Sequence, residues 1–220
     1  MTAAGAGSPA RPWPRLAAAA VLAVLALGSF AREAGAHHVG AYTPRDNDVS
    51  ANFKQIKFSV QAGKFDVARR LYVEGGLRKE LRARASTLPP GLEASIAGAL
   101  QARDAGRAEG GLMVFFMALI RELVAEADRH LADTAIAAEA RATTGRKLLE
   151  AVWRYYNLVD FAVTQRDVKA ATGIRLAFEE AEEFVKPKSP APERARAALA
   201  RIDRLTGALI EASSTTRRDS

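Results

Sequence analysis

Apolar residues recur along this chain three and four positions apart, and no stretch alternates strictly between apolar and polar. The first spacing is that of amphipathic helices and the second that of half-buried strands, so the pattern predicts an all-α protein. "NFKQIKFSVQAG" puts Phe53, Ile56 and Val60 on one side of a helix that Gly63 ends. "KFDVARRLYVEGGLRKELRARA" resumes with Phe65, Ala68, Leu71 and Tyr72 and is expected to kink at Gly75-Gly76. Pro89-Pro90-Gly91 is a stop. A shorter helix over "LEASIAGALQAR" follows, and "DAGRAEGG" reads as the link to the next one.

Two long segments come next. "LMVFFMALIRELVAEADRHLAD" is the most apolar stretch after the N-terminal region, with a stripe of Met113, Phe116, Ile120, Val124, Ala127 and Leu131. "GRKLLEAVWRYYNLVDFAVTQRD" carries Leu149, Trp153, Tyr156, Val159 and Val163, and its pattern runs with little break into "GIRLAFEEAEEFVK". "KPKSPAPE" ends that element, and Pro192 and Glu193 suit the first turn of a last helix, "ERARAALARIDRLTGALIEAS". These lengths and short connections predict an antiparallel bundle of four to six helices over residues 51–213. Residues 37–50 form an extended lead-in, in which Asp48 or Ser50 caps the first helix, and residues 214–220 a polar tail.

The first 36 residues change the picture. Arg11 and Arg15 precede "LAAAAVLAVLALGSF", an apolar run shorter than the roughly 20 residues that span a bilayer as a helix. A charged flank, a short apolar core and small residues downstream describe a cleaved signal peptide, with a periplasmic or secreted mature chain. Ala34-Gly35-Ala36 offers a cut that exposes His37, and Ser29-Phe30-Ala31 offers an earlier one. Removing residues 1–36 takes away Arg11, Arg15, Arg32 and Glu33, a net of +2, so the charge falls from +7 to +5. Acidic and basic residues are interspersed in what remains, which argues against a nucleic-acid partner. The 184 residues after Ala36 suffice for one domain with its own core and contain no membrane span. With no cysteine in the chain, neither a disulfide nor a lipid-modified cysteine is available.

"FKQIKFSVQAGKFDVARRLYVEG" is similar to a single tetratricopeptide-type helical hairpin in its Gly63, Phe65, Ala68 and Leu71/Tyr72 arrangement. That family builds peptide-binding grooves from tandem repeats, and no second copy follows here.

No nucleophile constellation, phosphate-binding glycine loop, haem site or H-E-x-x-H zinc site is present, so an enzyme is not expected. What remains is metal chemistry. A chain starting at His37 presents its α-amine, its own imidazole and either the next amide or the His38 imidazole within one chelate. Such nitrogen-rich sets favour copper among divalent first-row metals. The opening resembles the N-terminal histidine of histidine-brace copper proteins. That resemblance implies copper ligation only, since the best-known members are β-sandwiches with a second, distant histidine.

A second candidate set, Glu122, Glu126 and His130, is spaced i, i+4, i+8 along one helix and suits iron or zinc, with Arg121 and Arg129 near enough to pair with the carboxylates instead. Asn157 and Asp160 sit among apolar and aromatic residues and read as buried polar groups, for which Arg154, Arg166 or Arg175 offers a salt bridge. Trp153, Tyr155, Tyr156 and Phe161 read as core, and the four glutamates of "EEAEEF" as a solvated acidic surface. The sequence thus points to an exported helical accessory or carrier protein for copper or iron. The alternative is a metal-free module that docks an envelope protein.

Overall fold

The computed structural model describes residues 47–186, 188 and 190–215. The signal-peptide segment, both cleavage positions, His37 and His38 lie outside them, as does the tail beyond residue 215. Eight helices and no strands are present among the described residues: α1 (Asp48–Gln61), α2 (Phe65–Glu74), α3 (Gly76–Ala83), α4 (Leu92–Gln101), α5 (Ala105–Ala132), α6 (Ala138–Arg166), α7 (Val168–Phe184) and α8 (Pro192–Thr215). That is two more than the upper number the pattern predicts, because short helices on either side of Gly75 and after Gly91 count separately. None of the eight is long and apolar enough to cross a membrane.

Helix α5 organises the rest. From Gly111 to Ile120 every residue is buried, and the expected stripe at Met113, Phe116, Ile120, Val124, Ala127 and Leu131 is buried along its whole length. A helix apolar all round requires neighbours all round. It obtains them from α6 and α8 along its length, α4 at its N-terminal half and α1 beside Phe116. The Phe116 ring meets Phe53, Phe115 and Tyr155 with centroids 4.8, 5.2 and 5.4 Å apart, the first two edge-on. Edge-to-face arrangements suit the ring quadrupoles.

The four long helices pair antiparallel. Along α5 and α6, Leu131 lies against Gly145 and Gly110 against Arg166. Along α5 and α8, Arg121 pairs with Asp203 at 2.8 Å and Asp128 with Arg196 at 2.7 Å. Along α7 and α8, Gly173 meets Leu205, and Glu180 meets Arg201 at 2.9 Å. Helices α6 and α7 fold back on each other around one residue, Asp167, where the sequence suggests near-continuity. Its extended backbone (φ −151°, ψ 94°) ends α6, and its carboxylate accepts from Ala170 N–H to start α7. Trp153 stacks on Phe178 at 4.6 Å across the resulting hairpin.

Two other boundaries differ from expectation. "DAGRAEGG" is no link: Asp104 caps α5 by accepting from Arg107 N–H, so the glycines form its first two turns. The first helix is capped by neither Asp48 nor Ser50. Asn47 holds the cap position, and Ser50 closes the capping box by accepting from Asn47 N–H. The Asn47 amide also donates to the Tyr155 hydroxyl at 3.1 Å, tying the start of α1 to α6.

The expected break at Gly75-Gly76 is real and has a polar cause. Asn52, buried in α1, donates to Leu71 O at 3.0 Å and accepts from Leu77 N–H at 3.1 Å. One carboxamide thereby satisfies a carbonyl near the end of α2 and an amide at the start of α3. Gly75 lies so close that a Cβ there would overlap the Asn52 side chain. Gly75→Ala is therefore expected to dislodge Asn52 and lower the unfolding free energy by about 1–3 kcal/mol. Gly98→Ala, in open space on α4, is expected to raise it by about 0.4–1 kcal/mol. Urea denaturation followed by far-UV circular dichroism measures both.

Candidate functional site

The Glu122, Glu126 and His130 set shares one face of α5, but its members do not converge. Glu122 accepts from the Arg84 guanidinium, which also holds Glu80, and from the Thr87 hydroxyl at 2.8 Å. Its carboxylate is thus engaged at the end of α3. Glu126 is largely buried, with its Oε1 3.9 Å from Nε2 of the exposed His130. That leaves two donors side by side, and no group of three His, Asp or Glu side chains placed to hold a metal occurs among the described residues. The arginine neighbouring in sequence is not the partner of Glu122 either. Arg121 reaches across to Asp203 on α8 through both Nε and Nη2.

Asp160 behaves as a structural anchor. Arg175 approaches it from α7 through Nε (3.1 Å to Oδ1) and Nη2 (2.6 and 2.7 Å to the two oxygens). The same Nη2 donates to Thr164 Oγ1 at 3.1 Å. Two-pronged arginine–carboxylate contact fixes orientation as well as distance, and it sets the register of α6 against α7. Of the three arginines the sequence offers, Arg175 makes this bridge; Arg166 donates to the carbonyls of Ala162 and Gly106, and Arg154 is half-buried. Asp160 itself is only half-buried and Asn157 is exposed, so neither is the buried polar group expected. Phe161 leaves the predicted core as well, being 58 % exposed. Asn157 and Phe161 fall on the solvent-facing side of α6, and Asp160 at the edge that meets Arg175 of α7.

A feature that periodicity did not reveal is a cleft of about 840 Å³ at one end of the long helices, where α5 begins, α6 turns into α7 and α8 ends. Arg107, Arg166 and Lys169 stand around it, over Val114, Leu205 and Leu209. The one sequence signal was the run of glycines at 106, 110 and 111, which read as a linker.

The two largest fully buried side chains among the described residues are the phenols of Tyr72 and Tyr156, whose hydroxyls donate to the carbonyls of Glu93 and Ala171. Burial raises both well above the ordinary tyrosine value of 10.0, with the charge of Glu93 adding at Tyr72 and Asp160 adding at Tyr156. A phenol whose folded-state value exceeds its unfolded one contributes stability that is complete below pH 10 and lost as pH rises toward the folded value. Urea melts are expected to show stability falling above pH 10 by up to about 1.4 kcal/mol per pH unit for each phenol, with a shallower fall in Tyr156→Phe. Comparison of the chain with protein-family models, with curated proteins and with solved structures finds no match.

Proposed function

We propose that this chain is an exported antiparallel helical bundle that binds copper through a processed N-terminus beginning at His37, as an accessory or carrier in metal uptake or metalloenzyme maturation. The observation that carries the reading is the succession of Ala34-Gly35-Ala36 and His37-His38 directly behind a signal-like apolar run. A free amine, an imidazole and an adjacent nitrogen make a tetragonal set that copper prefers to iron. His37 stands ten residues ahead of the Asn47 cap in the sequence.

A second reading, a metal-free docking module, draws on four exposed apolar side chains, Phe58, Phe161, Val168 and Leu176. The two separate by experiment. Mass spectrometry of exported protein is expected to show a chain starting at His37, and elemental analysis of that material to show copper. In titrations with Cu(II), adding one alanine before His37 is expected to weaken binding at least about tenfold, by removing the amine from the chelate. Equal affinities reject the chelate.

A further inference from the structure

The cleft at the end of the long helices has a composition that metal ligation does not use. Its volume, about 840 Å³, lies within the range of small-molecule sites, roughly 300–1,000 Å³. Val114 and Leu209 are buried beneath it and Leu205 half-buried beside them, so its inner wall is apolar. Three cations, Arg107, Arg166 and Lys169, line the cleft against one carboxylate, Asp167, and Arg166 is held in place. Arg166 donates through Nη1 to Ala162 O at 3.0 Å and through Nη2 to Gly106 O at 3.1 Å. Gly110 leaves room for this pose, since a Cβ there would stand 2.9 Å from Nη2. Both acceptors are neutral carbonyls, so no carboxylate among the described residues matches the charge of Arg166. Lys169, three residues along, has no ion pair among the described residues either.

Two of the carboxylates at this end, Asp104 and the lining Asp167, cap helices. Asp104 caps α5 through Arg107 N–H and Asp167 caps α7 through Ala170 N–H, each at 2.9 Å. Arg107 is only loosely held by Asp104, its Nε 4.0 Å away. The helix starts are thus already satisfied by their own side chains, and the side-chain cations are what the cleft offers an incoming group. A small inorganic anion would match these charges and leave the apolar wall wet. A neutral hydrophobe would do the reverse, leaving the guanidinium without a counter-charge.

We propose that this cleft binds an anionic amphiphile, a carboxylate-headed acyl chain, with its head among Arg166, Lys169 and Arg107 and its chain along Val114, Leu205 and Leu209. The site shares no residue with the N-terminal chelate, and the proposal stands or falls independently of it. The test is calorimetric titration of the processed full chain with monomeric dodecanoate, expected to bind one to one. Replacing Arg166→Gln and Lys169→Gln together is expected to weaken dodecanoate by about tenfold or more while leaving dodecanol unchanged. Ala208→Trp, on the exposed side of α8 at the cleft, is expected to block both, and thermal melts verify that each variant is folded. The proposal is overturned if unaltered protein does not bind dodecanoate, if the double variant binds it equally well, or if acetate matches it in affinity. Binding to phosphatidylglycerol vesicles without binding monomeric dodecanoate also overturns it, in favour of a membrane surface.

Discussion

The constraint on which the rest depends is that three turns of α5, Gly111 to Ile120, are apolar on every side. Such a segment is stable in water only when surrounded, and no single partner helix can surround it. The chain answers by placing its two longest neighbours, α6 and α8, on either side, and covering the remaining arc with short helices from the N-terminal part. Phe116 marks where the two halves meet, since its ring touches Phe53 of α1 and Tyr155 of α6 at once.

Burial alone leaves register undetermined, because leucine-rich faces slide past one another at little cost. Polar links supply it. Arg175 grips Asp160 between α6 and α7, Arg121 and Arg196 grip Asp203 and Asp128 between α5 and α8, and Asn52 closes the gap between α2 and α3. Most of these pairs are partly open to solvent, where ion pairs add little stability. Their contribution is to make one alignment of the helices preferable to its neighbours. Glu122 belongs to the same class of links, its carboxylate being held by Arg84.

The helical class and the buried stripe of α5 were legible because periodicity of 3.6 survives any tertiary arrangement. Gly63, with φ of 69°, and Pro89-Pro90-Gly91, with Gly91 at 72°, were legible as stops for local steric reasons. What stayed hidden depends on neighbours in space. Nothing local distinguishes Asp104 as a cap from a linker aspartate, so glycines packed against Ile96 and Arg166 read as flexible chain. Asn157 and Phe161 sit in an apolar context in sequence but on the open side of α6, and context in one dimension does not report direction. The cleft cations come from three helices, Arg107 from the start of α5, Arg166 from the end of α6 and Lys169 from the start of α7.

The corner at Asp167 has one more consequence. A connection of a single residue has no slack, so inserting or deleting one amino acid there would turn α7 by about 100° about its own axis. Ile174 and Phe178 would swing out of the interior and Arg175 would face away from Asp160. The five residues from Asp133 to Ala137 between α5 and α6 impose no such phase lock. Natural length variation in this protein should therefore accumulate at that longer loop and be purged at Asp167.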